Sequence, residues 1–161
     1  MILYLDTSSL VKLYIDEDHS DLVHAWADQA EALCTSRVAY PETMAAVARR
    51  WREGDLEDEA FEAIRQAVVD EWPDFSTVEL DERAAGDLAI RHGLRGFDAI
   101  HLAAAVDVFA GAGAAPTRFS SFDQQLNHAA RAEGMIVLDA SSDRDAMAAE
   151  PAATEEPVQD P

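Results

Sequence analysis

Apolar positions along this chain come in blocks whose period switches repeatedly between strand-like and helix-like. Ile2 to Leu5 is a continuous apolar run ending at Asp6, as expected for a central parallel strand covered on both faces. After Thr7, Ser8 and Ser9, the residues Leu10, Leu13 and Tyr14 recur at helical spacing, and Leu22, Val23 and Trp26 mark a second short amphipathic helix. Ala32 to Thr35 reads as a second strand. Val38 to Trp51 follows as a helix, with Pro41 tolerated in its first turn and Gly54 just beyond its end. Asp55, with Asp58 three residues on, begins another helix through Ile64 and Val68 to about Glu71, and Phe75 to Leu80 makes a third strand.

Asp81 caps a helix that runs to His92, and Gly93 interrupts it. Phe97 to Phe109 is then apolar nearly all round, apart from His101 and Asp107 beyond its opening Asp98, which predicts a mostly buried helix. Thr117 to Ser121 is a short strand, Asp123 to Glu133 a helix, and Met135 to Leu138 a last strand after Gly134. Such alternation predicts an α/β fold with a parallel sheet and helices on both faces, because right-handed crossovers pack only that way. At 161 residues the chain can close one substantial core but not two. Residues 1–139 form the expected domain. From Ala140 to Pro161 the composition shifts to Ala, Glu, Asp and Pro, so a disordered tail is expected there.

Charge complicates the picture. With 32 acids against 12 bases the net charge is −20, which repels a polyanion at long range. Removing the tail's six acids and one arginine still leaves −15, so the body is acidic too. Bound divalent ions and a few clustered arginines would have to compensate locally. Lys12 is the sole lysine, and the single cysteine, Cys34, excludes an internal disulfide and cysteine metal sites. No apolar run approaches the ~20 residues of a membrane span, so a soluble cytoplasmic protein is expected.

In an open α/β sheet, ligands bind at the carboxyl ends of the strands. Asp6 ends the first strand, Asp98 opens the buried helix and Asp123 opens the helix after the fourth strand. Glu42 sits early in its own helix, on the face of Val38 and Ala45. Singly, each has a structural explanation: Asp6 as a cap, Asp98 as a dipole partner, Ser120 with Asp123 as a capping box, Glu42 as a solvated helix acid. Together, four acids converging on one sheet edge would repel unless cations neutralised them. Mg²⁺ or Mn²⁺ suits such an oxygen-only set, and the chemistry implied is phosphodiester hydrolysis. His101 could face this site, but a histidine on a buried helix is more often a satisfied core residue and is left outside the ligand set. Arg37, Arg49, Arg50 and Arg52 flank the Glu42 segment; Arg37 and Arg49, with Lys12, are candidate phosphate contacts.

LDTSSLVKLY around Asp6, AYPETMAAVAR around Glu42, LRGFDAIHLAAA around Asp98 and SSFDQQLNHAA around Asp123 resemble the four acidic motifs of PIN-domain ribonucleases, and within them VapC toxins of toxin-antitoxin pairs. The likeness runs from about Met1 to Asp139. It implies a five-stranded parallel sheet between helices in a three-layer fold, with Asp6, Glu42, Asp98 and Asp123 holding one or two Mg²⁺ or Mn²⁺ ions. Thr7 and Ser121 would support the site, RNA would be the substrate, an antitoxin would block it, and the chain would form a homodimer. Family members that bind RNA often carry more basic residues than this chain. A haloacid-dehalogenase-like phosphatase also begins with a strand ending in Asp, but wants a second acid where Ser8 stands. A non-catalytic binding module of the same fold would be expected to have lost a site acid, and all four are present.

Overall fold

The computed structural model describes residues 1–142. Among these residues five strands form one wholly parallel sheet in the order β3-β2-β1-β4-β5. The strands are β1 (Ile2–Leu5), β2 (Ala32–Ser36), β3 (Ser76–Val78), β4 (Thr117–Ser120) and β5 (Val137–Leu138). Seven α-helices connect and cover them: α1 (Thr7–Leu10), α2 (Ser20–Asp28), α3 (Ala39–Glu53), α4 (Asp58–Glu71), α5 (Glu82–His92), α6 (Gly96–Gly111) and α7 (Gln124–Ala132). This is the three-layer α/β architecture expected from the alternation. The disordered tail expected from Ala140 lies, from residue 143 on, outside the described residues. Hydrogen bonds from Ser142 to Val137 and from Ser141 to Asp139 continue past the expected boundary.

β1 lies at the centre because it is apolar on both faces, and its side chains alternate between two cores as strand geometry demands. Tyr4 joins Phe119, Leu102, Ala103 and Leu126 beneath α5, α6 and α7. Leu3 and Leu5 point the other way, onto Leu10, Val23, Ala39 and Phe75. On α6, Ala99, Ala103, Ala104 and Ala105 are all buried, so the short side chains let that helix lie close to the sheet. A third cluster, Val11, Ile15 and Val47 with Leu56, Phe61 and Ile64, ties α3 and α4 to the first helices.

Where the ends of elements differ from expectation, the hydrogen bonds give the reason. β3 and β5 are edge strands paired on one side, so they are shorter than Phe75 to Leu80 and Met135 to Leu138. Asp55 does not begin α4. Gly54 adopts a left-handed conformation with φ 85°, and the Asp55 N–H bonds back to the Arg50 carbonyl at 2.9 Å, so both residues close α3. The Asp58 carboxylate is drawn off by the Trp51 indole at 2.8 Å, and α4 starts at Asp58 itself. Nor do Ser120 and Asp123 form a capping box: the Ser120 hydroxyl is 2.9 Å from that of Ser9, and Asp123 is the cap of α7 through the Leu126 N–H.

Candidate active site

Register sets the geometry. Leu5 pairs with Ser120, so the chain leaves β1 and β4 side by side, and Asp6 and Ser121 emerge together at the carboxyl edge. Asp6 is buried and caps α1. Its Oδ1 accepts from the Ser9 N–H at 2.9 Å and the Ser8 hydroxyl at 2.8 Å, while Oδ2 accepts from Ser121 Oγ at 2.8 Å. Burial pushes its carboxyl above the ordinary value, and His101 and these donors pull it back only in part. Ser121 also accepts the Asp123 N–H at 3.0 Å, coupling Asp6 to the start of α7.

Glu42 reaches the same edge from the first turn of α3. Its Oε2 accepts from Thr7 Oγ1 at 2.6 Å and from His101 Nε2 at 3.0 Å. Although burial raises its carboxyl, the His101 and Thr7 hydrogen bonds outweigh that and hold Glu42 below its usual range. Asp98, on the first turn of α6, behaves in the opposite way: partial burial and then the charge of Asp123 raise it, Arg95 pulls it back in part, and Asp6 and Glu42 add smaller pushes upward. Asp98 therefore feels all three other acids. Of the two hydroxyls expected to support the acids, Thr7 holds Glu42 and Ser121 holds Asp6, while Asp98 has no such donor among the described residues.

As the side chains stand, no three metal-binding groups among the described residues are gathered tightly enough to close around an ion. The donor set nevertheless fits a hard cation in type. Among the described residues Glu42 Oε1, Asp123 Oδ2 and both oxygens of Asp98 accept no hydrogen bond, so each acid but Asp6 keeps a wholly uncommitted oxygen, and Asp6 Oδ2 has a single donor.

The PIN domain family matches residues 3–132, spanning all four acids. The chain belongs to the PIN domain family. Ribonuclease VapC45 of Mycobacterium tuberculosis is 37% identical over 145 residues, covering 88% of this chain and 98% of the relative. Among solved structures, Mycobacterium tuberculosis VapC20, described as a Sarcin-Ricin loop cleaving toxin, superposes with TM-score 0.58 at 20% identity over 79% of this chain and 94% of its own. VapBC2 from Rickettsia felis, bound to a DNA fragment from their promoter, gives TM-score 0.56 at 13% identity over 86% and 98%. At these identities the solved structures speak to the PIN fold alone. The phosphatase alternative falls with this membership, and Ser8, where that class wants an acid, serves as a donor to Asp6.

The basic residues divide within this PIN domain. Lys12 is 7% exposed, donates to Glu17 at 2.6 Å and to the Asp18 carbonyl at 2.9 Å, and lies 4.6 Å from the Phe122 ring. The expected phosphate contact from Lys12 is therefore corrected: its ammonium is spent inside the fold, and Arg50 is paired with the same Glu17. Arg37 is exposed and paired with Glu79 at 2.9 Å. Arg49 lines an open groove of about 400 Å³ with Thr7, Glu42, Ala45, Ala46 and Arg52. One contributor, His101, had been left outside the ligand set, and another, Asn127, carried almost no signal in the sequence. His101 is a core residue, but one whose ring is bonded to Glu42. Asn127 holds the Ser121 carbonyl through its amide at 2.9 Å, and its only signal was its place one helical turn after Asp123.

Proposed function

We propose that this chain is the toxin of a toxin-antitoxin pair, an endoribonuclease that hydrolyses RNA phosphodiesters at Asp6, Glu42, Asp98 and Asp123 with divalent metal. VapC nucleases of the PIN family are generally dependent on a divalent metal; Mg²⁺ or Mn²⁺ is the choice that the oxygen donors favour here. The observation that carries the reading is the match to the PIN domain family over residues 3–132, which takes in all four acids, with Asp6 and Ser121 leaving β1 and β4 side by side at the carboxyl edge of the sheet. When bound, the metal supplies a water of lowered pKa and positive charge against the charge developing on the phosphate.

The protein's own groups do the positioning. Ser8, Ser9 and Ser121 fix Asp6, and Thr7 and His101 fix one oxygen of Glu42 while leaving the other free. The Thr7, Ser8 and Ser121 hydroxyls hold the carboxylates; in this reading water attacks in line, leaving a 5′ phosphate and a 3′ hydroxyl, and no side-chain nucleophile is required. Arg49 and Arg52, beside Glu42, meet the flanking phosphates and offset part of the −20 net charge. A cognate antitoxin and a homodimer belong to the same reading. The acidic cleft suits a basic partner segment.

Cleavage of total RNA by the purified protein in Mg²⁺, Mn²⁺ or EDTA, run beside Asp98→Asn, is the test. Metal-dependent cleavage absent from the variant is the expected result. Equal trace activity in both, or none with either metal, would sink the catalytic reading and leave a PIN-fold binding module.

A further inference from the structure

Behind Glu42 lies a chain of buried polar groups that nucleotide hydrolysis does not itself require. Tyr4 is fully buried in β1, stacked on Phe119 at 5.6 Å and edge-on to His101 at 6.2 Å. Its hydroxyl is 3.0 Å from His101 Nδ1, and the His101 Nε2 lies 3.0 Å from both Glu42 Oε2 and Thr7 Oγ1. The Glu42 carboxylate can only accept, so the ring nitrogen that faces it must carry the proton. Nδ1 then accepts, the ring proton sits on Nε2, and that N–H donates to Glu42. The Tyr4 and His101 side chains are too buried to touch RNA, with His101 3% exposed.

We propose that Tyr4 and His101 are positioning residues: Tyr4 selects the His101 tautomer, and the His101 Nε2–H clamps Glu42 Oε2 so that Oε1 alone is presented to the metal. The role rests on the metal-nuclease reading above. Partners of this kind, one bond behind a metal-binding carboxylate, typically govern metal affinity by about 10–100-fold. Ordinary core packing would ask only for shape from these two residues, which Phe and Leu supply.

The experiment compares Tyr4→Phe, His101→Leu and His101→Gln with wild type. Mn²⁺ binding to RNA-free protein is followed by calorimetry, RNA cleavage is resolved into kcat and KM, and the His101 tautomer is read by ¹⁵N NMR. Tyr4→Phe keeps the Phe119 stack and is expected to weaken Mn²⁺ binding and lower kcat, each about tenfold, with KM for RNA unchanged. It should also erode the single Nε2–H tautomer. His101→Leu should lose more, and His101→Gln, whose amide N–H can still reach Glu42, should recover part of the loss. Tyr4→Phe and His101→Leu proteins that melt earlier yet bind Mn²⁺ and turn over as wild type does would overturn the positioning role alone. Wild-type protein that binds no Mn²⁺ would overturn the metal reading and this role with it.

Discussion

The two halves of the acidic cluster are built differently. Asp6 accepts three hydrogen bonds and Glu42 two, all from groups on α1, α6 and the β4–α7 turn, whereas Asp123 accepts one and Asp98 none among the described residues. Glu42 is held below its usual pKa by its donors, while Asp98 is held above by burial and its acidic neighbours. One half is therefore preorganised by the fold, and the other is left in mutual repulsion that a cation would relieve. Such an arrangement gives up stability in the free protein for a site that closes around its ligand.

Neutralising the open half should have the largest effect on activity and the opposite effect on stability. Asp98→Asn is expected to lower cleavage by more than about a hundredfold, as loss of a charge-stabilising group does. In EDTA near neutral pH its melting temperature should rise, because a carboxyl with a raised folded pKa favours the fold when protonated and works against it once the pH exceeds that value. A lower melting temperature for Asp98→Asn would show that the comparison is mistaken.

Glu42→Gln should reduce cleavage by about ten- to a hundredfold and, unlike Asp98→Asn, should lower stability, since hydrogen bonds to a charged acceptor contribute about 1.5–3 kcal/mol. The sign follows from its lowered pKa. Its contribution is present above the unfolded carboxyl value and disappears as the pH falls through the folded one, so wild type and Glu42→Gln should converge in melting temperature in acid.

A smaller effect is expected at the rim. Arg49→Gln should raise KM for RNA about three- to tenfold, more at low ionic strength, with kcat little changed. Unaltered KM across salt would remove Arg49 from the substrate path. Away from the cluster, Asp139 is held at about 2 by Ser141 and Arg131 against the opposing push of its partial burial. Asp139→Asn should leave cleavage untouched and lower the melting temperature slightly at neutral pH. That difference should fade as the pH falls through about 2, where wild type loses the same stabilisation.

The order and kind of elements were legible in the sequence because they follow from local rules: a continuous apolar run at β1, helical spacing in α3 and α5, an all-round apolar α6, and Asp81 and Gly93 at helix ends. Asp6, Asp98 and Asp123 could be placed at one sheet edge because each opens a helix at or just beyond a strand end or loop. Their coupling, and the entry of Glu42, depended on register and on the approach of α3, which no spacing encodes. Lys12 shows the same limit in reverse: as a lone lysine beside an acidic motif it suggested phosphate binding, until Glu17, Asp18 and Phe122 were found around its ammonium. His101 and Tyr4 are 97 residues apart, and their bond exists only because α6 packs on the face of the sheet to which Tyr4 points. Periodicity and capping act over a few residues and are written in the chain. Which buried polar group meets which is decided by packing between distant segments, where a shift of one residue in the β1 register would part Asp6 from Ser121 and Tyr4 from His101.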